Sequence, residues 1–354
     1  MTITSVDTIG ISSGTAISMS ELRTYFGQSG SVSLNATFNG GTNPVPSSLP
    51  GSGAETSFSD YYDTNRILKK KGTTETKTSG TSWSPAQTGC VQYNVYVLGG
   101  GGSGGGASTD SGREKVASGA GAGGVAFRRY STKEHSITSA TIAIGAGATG
   151  ISYSASSGVA NSGRNGGTTS FNPDGSGTTI SATGGSRGFG SRQGTAGDTP
   201  DTTGIPGENS TGTLGGQWGG CAESAGGTGS GGESNYTGGN GTGFSIGGDA
   251  SAASGGGSPN LGSGGVNGST VSQSGYAKSA TTGAPTKPSE WGSDVTVTFQ
   301  GGAAVQHSSG AAGASDAGNN YGAGSGGSAS ESGAGSTGDG SQGAIFVTYY
   351  EINT

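Results

Sequence analysis

This chain has little charge: 11% of its residues are charged and the balance is acidic, at −6. Arg and Lys are dispersed rather than gathered on one face, which argues against a nucleic-acid partner. The three lysines at 69–71 read as a short solvated run. Only His135 and His307 represent histidine, and His135, beside Glu134 in a strand context, reads as structural. Two cysteines, Cys90 and Cys221, give no disulfide framework. Apolar residues are 28% of the chain, against roughly 40% in an ordinary domain when glycine is left out, so a conventional core is thin. No apolar run approaches membrane-spanning length. The N-terminus lacks the basic-then-apolar order of a signal peptide, so the expectation is a soluble product made in a cytoplasm. No Ser-His-Asp or metal-spaced cluster emerges, and scattered carboxylates alone do not make a glycosidase. The expectation is no enzyme, no cofactor and no metal.

What is there instead is glycine, 80 of 354 residues, sparse before residue 99 and dense after it. The chain is organised around Val91–Gly106, VQYNVYVLGGGGSGGG. Val91, Tyr93, Val95 and Val97 share one face of a strand, with Gln92 and Asn94 opposite. Glycine blocks then recur at 119–124, 184–190, 214–220, 226–232, 238–243 and 322–327. A flexible linker is the ordinary meaning of such blocks. Their repeated departure from strands points to the alternative, rods of the polyproline type with three residues per turn and a rise of about 3.1 Å. Such rods make no internal hydrogen bonds and must bond to neighbours, which only glycine lets come close.

In chain order, Ser18 and Glu21 form a capping box at the start of a short helix that Gly27 closes, with Ile17 and Leu22 as its staple. Phe58-Ser59-Asp60-Tyr61-Tyr62 echoes it after a Pro-rich loop. Residues 1–66 are expected to be a small module and 67–90 a polar linker containing Trp83-Ser84-Pro85. Residues 91–354 are expected to be a β and polyglycine domain. The fold class expected is mostly irregular or all-β: a small module with a short helix, then strands capping a stacked polyglycine II bundle. Strands are expected at Gly124–Tyr130 and His135–Ile144, the latter forming a hairpin with its neighbour. Thr168–Phe171 and Thr178–Ala182 should pair around the turn Asn172-Pro173-Asp174-Gly175. Asp294–Phe299 and Ala344–Glu351 complete the set.

Trp83-Ser-Pro, Tyr93-x-Val-x-Val-Leu-Gly-Gly-Gly-Gly, Ala143-Ile-Gly-Ala-Gly, Gly166-Gly-Thr-Thr-Ser-Phe and Gly343-Ala-Ile-Phe-Val together resemble the glycine-rich domain of bacteriophage tail-fibre proteins. The resemblance covers roughly residues 83–354. It implies polyglycine II helices stacked side by side, with loops at one end that bind a host receptor. Ile17-Ser-Met-Ser-Glu-Leu-Arg and Phe58-Ser-Asp-Tyr-Tyr resemble a short module of virion structural proteins of marine tailed phages. That implies an attachment module carried by Ser18, Glu21, Leu22, Phe26, Phe58 and Tyr61. The partners implied are other tail or capsid proteins and a host glycan or outer-membrane protein, with a homo-oligomer in the assembled virion, where the protein would reside.

Alternation of outward and returning runs places 107–118, 151–162, 191–213 and 233–237 at the distal end. Arg113, Tyr153, Arg192 and Tyr236 lie there, with Tyr276 in a later loop. Tyr and Arg are favoured at binding hot spots, and Tyr offers a flat apolar face suited to sugar rings. Trp218, inside a glycine block, should pack between rods. Gly99-x-Gly101-x-x-Gly104 matches the dinucleotide fingerprint, but no helix follows to meet a pyrophosphate. Gly238–Gly243 lacks the Asp of calcium-binding nonapeptides. Asp198, Asp201 and Glu208 could hold calcium weakly, though a solvated loop fits them better. The functional expectation is a phage tail fibre or adhesin. The alternatives are a non-specific fibre or capsid decoration and, more remotely, an ice-binding protein, whose unbroken Gly-X-X triplets and flat face of small residues are missing here.

Overall fold

The computed structural model describes residues 68–109, 115–132, 137–153, 159–175, 177–192, 225–241, 251–253, 270–272, 276–278, 287–295, 305–310, 321–332 and 334–352. They are nearly all strand and irregular structure, as the composition led one to expect. The strands are β1 (Leu68–Lys70), β2 (Glu75–Lys77), β3 (Ser82–Trp83), β4 (Gln92–Leu98), β5 (Gly106–Thr109), β6 (Lys115–Ala117), β7 (Val125–Ser131) and β8 (Ala140–Ala143). Then come β9 (Ser152–Tyr153), β10 (Val159–Asn161), β11 (Thr169–Pro173), β12 (Ile180–Ala182), β13 (Gly190–Arg192), β14 (Gly229–Ser230) and β15 (Ser234–Tyr236). The last are β16 (Ser251–Ala253), β17 (Thr270–Ser272), β18 (Tyr276–Lys278), β19 (Val305–Gly310), β20 (Ser328–Ser332), β21 (Gly335–Ser336) and β22 (Ala344–Ile352).

One end of the molecule, here called proximal, is a sandwich. Its first sheet runs β1-β22-β4-β7-β15, with β2 also on β22, and its second runs β14-β12-β11-β8-β3. Alternation along β4 sends Tyr93, Val95 and Val97 into the space between the sheets. There they meet Ile345, Val347 and Tyr349 from β22 and Ile142, Phe171 and Ile180 from the second sheet. Trp83 anchors this core edge-on to Tyr93 and Phe171, at centroid distances of 5.6 and 5.2 Å. The opposite face of the first sheet carries Tyr96, Leu98, Val125 and Phe346, covered by Trp291 and Val295.

From this sandwich the glycine runs extend. Along residues 99–105 the backbone donors change partner at each step, and in two of the three directions they return to the same neighbouring run every third residue. Gly99, Gly102 and Gly105 donate to Gly124, Gly121 and Ser118 at 3.0 Å each. Gly100 and Ser103 donate to Gly167 and Arg164 at 2.9 Å. Gly101 donates to Ser341 at 2.7 Å, and Gly104 to the Ser325 hydroxyl at 2.8 Å. The carbonyls along the same run accept from Gly185 and Gly188, from Ala148, and from Ser325 and Ser328. The 99–105 run is therefore bonded on all sides to 118–124, 163–167, 183–189, 144–151, 322–328 and 337–343. The 118–124 run repeats the pattern: Ser118, Gly121 and Gly124 donate to Phe189, Ser186 and Thr183, while Ala120 and Gly123 donate to Ser325 and Gly322.

Close approach, rather than unusual dihedrals, is what demands glycine here. No glycine from 99 to 106 has a positive φ. A Cβ on Gly101 would stand 1.9 Å from the Ala323 carbonyl oxygen, and one on Gly185 1.9 Å from that of Gly121. Neither backbone neighbour can yield that distance.

At the far end, here called distal, the runs become strands again with different neighbours. The sheets there run β10-β5-β20-β19-β18, β13-β6-β16-β17 and β21-β9. β4 pairs with β22 and β7, whereas β5, which continues the same run, pairs with β10 and β20. A strand has two hydrogen-bonding edges, while a three-residue repeat turns its donors through three directions. The glycine run between them is what allows a chain to exchange one pair of neighbours for another.

Several expectations need correction. Residues 68–90 are not a linker: β1 and β2 pair with β22, and β3 with β8, so this stretch belongs to the sandwich. Most of its polar residues lie on outer faces, Thr74 excepted, while Trp83 reaches the core. The composition shift before residue 99 is accordingly no boundary, since β4 runs straight into the glycines. β8 pairs with β11 and β3 in the second sheet rather than with β7. Asp294 and Val295 follow a short 3-10 turn, Ser289–Trp291, and are not in a strand; residues 296–299 of the strand expected there lie outside the described residues. The β11–β12 pair forms as expected, with Gly175 at φ +75° in its turn.

Candidate functional site: the distal end and the proximal strap

The distal end collects β5, β6, β9, β10, β13 and β16–β21. Tyr153 lies there, but its side chain is 5% exposed. Its ring packs on the backbone of Gly106 and Gly335, where a Cβ would approach it to 2.6 and 2.4 Å, and its hydroxyl shares a 2.8 Å hydrogen bond with that of Ser328. Burial pushes this phenol up, and the hydrogen bonds to Ser328 and Ser330 oppose the rise. Tyr153 is thus a packing residue of the distal layer.

Arg192 ends β13 and is register-paired with Lys115 of β6. Tyr276 opens β18 opposite His307 of β19. These two pairs bring residues distant in sequence to neighbouring strands, which sequence spacing could not foresee. Arg113 and Trp218 lie outside the described residues, as do Asp198, Asp201 and Glu208. So do Ser18, Glu21, Leu22, Phe26, Phe58 and Tyr61 of the N-terminal module.

Tyr236 is at the other end of the molecule. β15 pairs with β7 in the proximal sheet, Tyr236 opposite Val125, and the ring packs partly buried against the Tyr96–Phe346 cluster. The reason is in the preceding glycines. Gly226–Thr228 belong to a returning run, and Gly231, at φ +73°, then turns the chain between β14 and β15. Counting 226–232 as one rod inverted the end.

A polar constellation that sequence reasoning missed sits on the outer face of the proximal sheet. The segment 287–295 lies across it as a strap. Trp291 packs on Phe346 at 4.2 Å and edge-on to Tyr96 at 5.3 Å. The Glu290 carboxylate accepts hydrogen bonds from the Tyr96 hydroxyl, from Asn94 Nδ2 at 2.8 Å and from the Tyr350 hydroxyl at 2.5 Å. Lys70 Nζ donates to the Glu290 carbonyl at 2.5 Å and to Asp294 Oδ2 at 2.7 Å. Burial first, then the Glu290 charge, pushes the Tyr96 phenol well above its ordinary value, and Tyr350 rises for the same causes. Both tyrosines therefore stay protonated and donate. The carboxylate is fully engaged, and the arrangement fastens the strap. Among the described residues no group of three or more His, Cys, Asp or Glu could hold a metal ion. No described helix is long and apolar enough to cross a membrane.

Comparison with family models and with curated proteins finds no match.

Proposed function

We propose that the protein is a bacteriophage virion component, a tail fibre or adhesin, whose glycine runs are stacked polyglycine II helices presenting a distal surface to the host. The observation that carries this reading is the three-residue hydrogen-bond repeat along residues 99–105 and 118–124. Rods bonded on every side hold the strands and loops at their ends with little conformational freedom left to lose, which favours binding. The chain's course agrees with such a role. Leu68 pairs with Ile352, so residues 1–67 join the described domain at the proximal end, opposite β5, β6, β10 and β13. An N-terminal attachment module and a distal recognition surface would thus lie at opposite ends. The partners in this reading are other tail or capsid proteins on one side and a host glycan or outer-membrane protein on the other.

The test is competition for adsorption. Full-length protein in excess should block adsorption of the phage that carries it. A variant with residues 110–114 and 193–213 replaced by short Gly-Ser linkers should fold but not block. Equal blocking by both would put recognition outside those two segments, and blocking by neither would remove the adhesin reading and leave the bundle as a spacer.

A further inference from the structure

The strand through which residues 1–67 join the sandwich is held by ties rather than by burial. Residues 68–77, LKKKGTTETK, comprise β1, β2 and the four residues between them, and they run along β22 toward the lattice. Leu68 lies opposite Ile352, Lys70 opposite Tyr350, Glu75 opposite Val347 and Lys77 opposite Ile345. Leu68 is the only apolar side chain of the ten and is half-buried. An edge strand that buries so little is ordinarily among the first to fray. Here it is fastened at several points. Lys71 N donates to the Tyr349 carbonyl at 2.9 Å, and Lys71 Nζ pairs with Glu351 at 2.8 Å. Lys70 Nζ reaches across to the strap, 2.5 Å from the Glu290 carbonyl and 2.7 Å from Asp294 Oδ2. Between β1 and β2, Thr74 N donates to the same Asp294 oxygen at 2.9 Å, and the Thr74 and Thr348 hydroxyls share a 3.2 Å bond. In β2, the Glu75 carboxylate accepts from Trp83 Nε1 at 3.0 Å and from the Tyr349 hydroxyl.

We infer that residues 68–77 are a load-bearing clamp, which passes tension on residues 1–67 into β22 and from there into the glycine runs. The direction of the strand decides what tension does. Pulled at Leu68 away from the lattice, the strand must slide along β22. Its ladder bonds lie across that direction, so they and the side-chain ties are strained together. Pulled sideways, the same bonds break one after another, starting from the Leu68–Ile352 pair. The strap supplies what so short a ladder lacks. Seated by Trp291 on Phe346, it grips the strand at residues 70 and 74, where the pairing with β22 is interrupted. An isolated, partly exposed ion pair such as Lys70–Asp294 adds little to equilibrium stability. Placed across a sliding strand, it resists a particular displacement instead. The source of the tension rests on the adhesin reading, in which the particle pulls one end while the host holds the other; the response of the clamp to tension does not.

Single-molecule force measurements on the full-length protein test this by pulling it in two directions. Handles at the N-terminus and on a tag inserted between residues 111 and 112, at the distal end, load the strand along β22. The same tag between residues 202 and 203 serves as a second distal handle. Handles at the N- and C-termini instead peel Leu68 away from Ile352. Residues 1–67 lie in both load paths, so a difference between the two belongs to the domain. Yielding at higher force along the strand than in peeling is expected. Lys70→Gln should speed yielding along the strand about fivefold at fixed force, a rate being what forced unfolding reports. Arg129→Gln, which breaks the Arg129–Glu233 pair between β7 and β15, should leave it unchanged. Both variants should melt with wild type, so a general loss of stability is separable. The inference is overturned by equal or lower force along the strand than in peeling, or by Lys70→Gln yielding no faster than Arg129→Gln. Competition for adsorption applies no load, so either idea can fail while the other stands.

Discussion

The proximal sandwich and the glycine lattice are held together by opposite means. In the sandwich, side chains do the work: Trp83, Phe171, Tyr349 and Phe346 are each 2% exposed or less. Burying each contributes on the order of 2–3 kcal/mol. In the lattice the buried side chains are mostly small, such as Ala120, Ala122, Ala323, Ser103, Ser118 and Ser325, and the backbone bonds laterally instead. A backbone hydrogen bond returns roughly 1 kcal/mol net, while ordering a residue costs about 1–2 kcal/mol and glycine loses the most. Such a lattice is marginal alone and depends on the strands that anchor its ends. The two regions should therefore melt together.

The largest effect should come from one methyl group in the lattice. Gly101→Ala would place a carbon 1.9 Å from the Ala323 carbonyl oxygen, between two backbones with nowhere to move. A loss of more than about 4 kcal/mol is expected, enough to abolish cooperative unfolding in a calorimeter. A near-normal transition would mean that the runs are not closely packed. Next, Phe171→Ala should cost about 3–5 kcal/mol. It should lower the midpoint of a single transition. Two separated transitions would show that the lattice stands without its anchor. A change of ordinary size, Ile180→Val, should cost about 1 kcal/mol in chemical denaturation, since one lost methylene is tolerated where one gained is not.

Amide exchange sharpens the same comparison. The amides of Gly99–Gly105 should exchange as slowly as those of β4, because each except Gly104 donates to another backbone carbonyl and Gly104 to Ser325 Oγ. Fast exchange confined to this run would return the linker reading.

The smallest effect concerns a turn. The Asp174 carboxylate accepts from the backbone N and hydroxyl of both Thr138 and Ser139, at 2.6 to 3.0 Å. Slight burial would raise its pKa, but these four bonds outweigh it and hold the carboxyl down at about 2. A depressed folded value means stability that is complete above the usual carboxylate range and lost as pH falls through about 2. Asp174→Asn should lower the melting temperature slightly at pH 7. That gap should close between about pH 4 and pH 2. A constant gap would show that the bonds, not the charge, matter.

Much of the sandwich was legible because it obeys side-chain rules. The alternation at 91–98 and 344–351 and the turn at 172–175 announce β4, β22 and the β11–β12 pair. The lattice was legible only as a composition. Glycine carries no side chain to specify which neighbour a run meets, so the exchange from β22 and β7 to β10 and β20 has no sequence signal. The same silence hid the end at which Tyr236 sits, since the turn at Gly231 lies inside a glycine block. β1 and β2 were missed because Lys and Thr on outer faces read as solvated coil. The Glu290 strap joins residues about two hundred positions apart, beyond any local pattern.

The lattice also has a thermal consequence. Exposing apolar surface on unfolding raises the heat capacity, by roughly 0.45 cal/mol/K per Å², whereas exposing polar surface lowers it by roughly 0.26. The sandwich releases aromatic rings when it opens, but the glycine runs release little except peptide groups. The heat-capacity change on unfolding should thus fall well below that of an ordinary chain of this length. The stability curve of the cooperative unit, sandwich and lattice together, is correspondingly broad, and its cold unfolding should set in at a lower temperature than that of a conventional domain of this length.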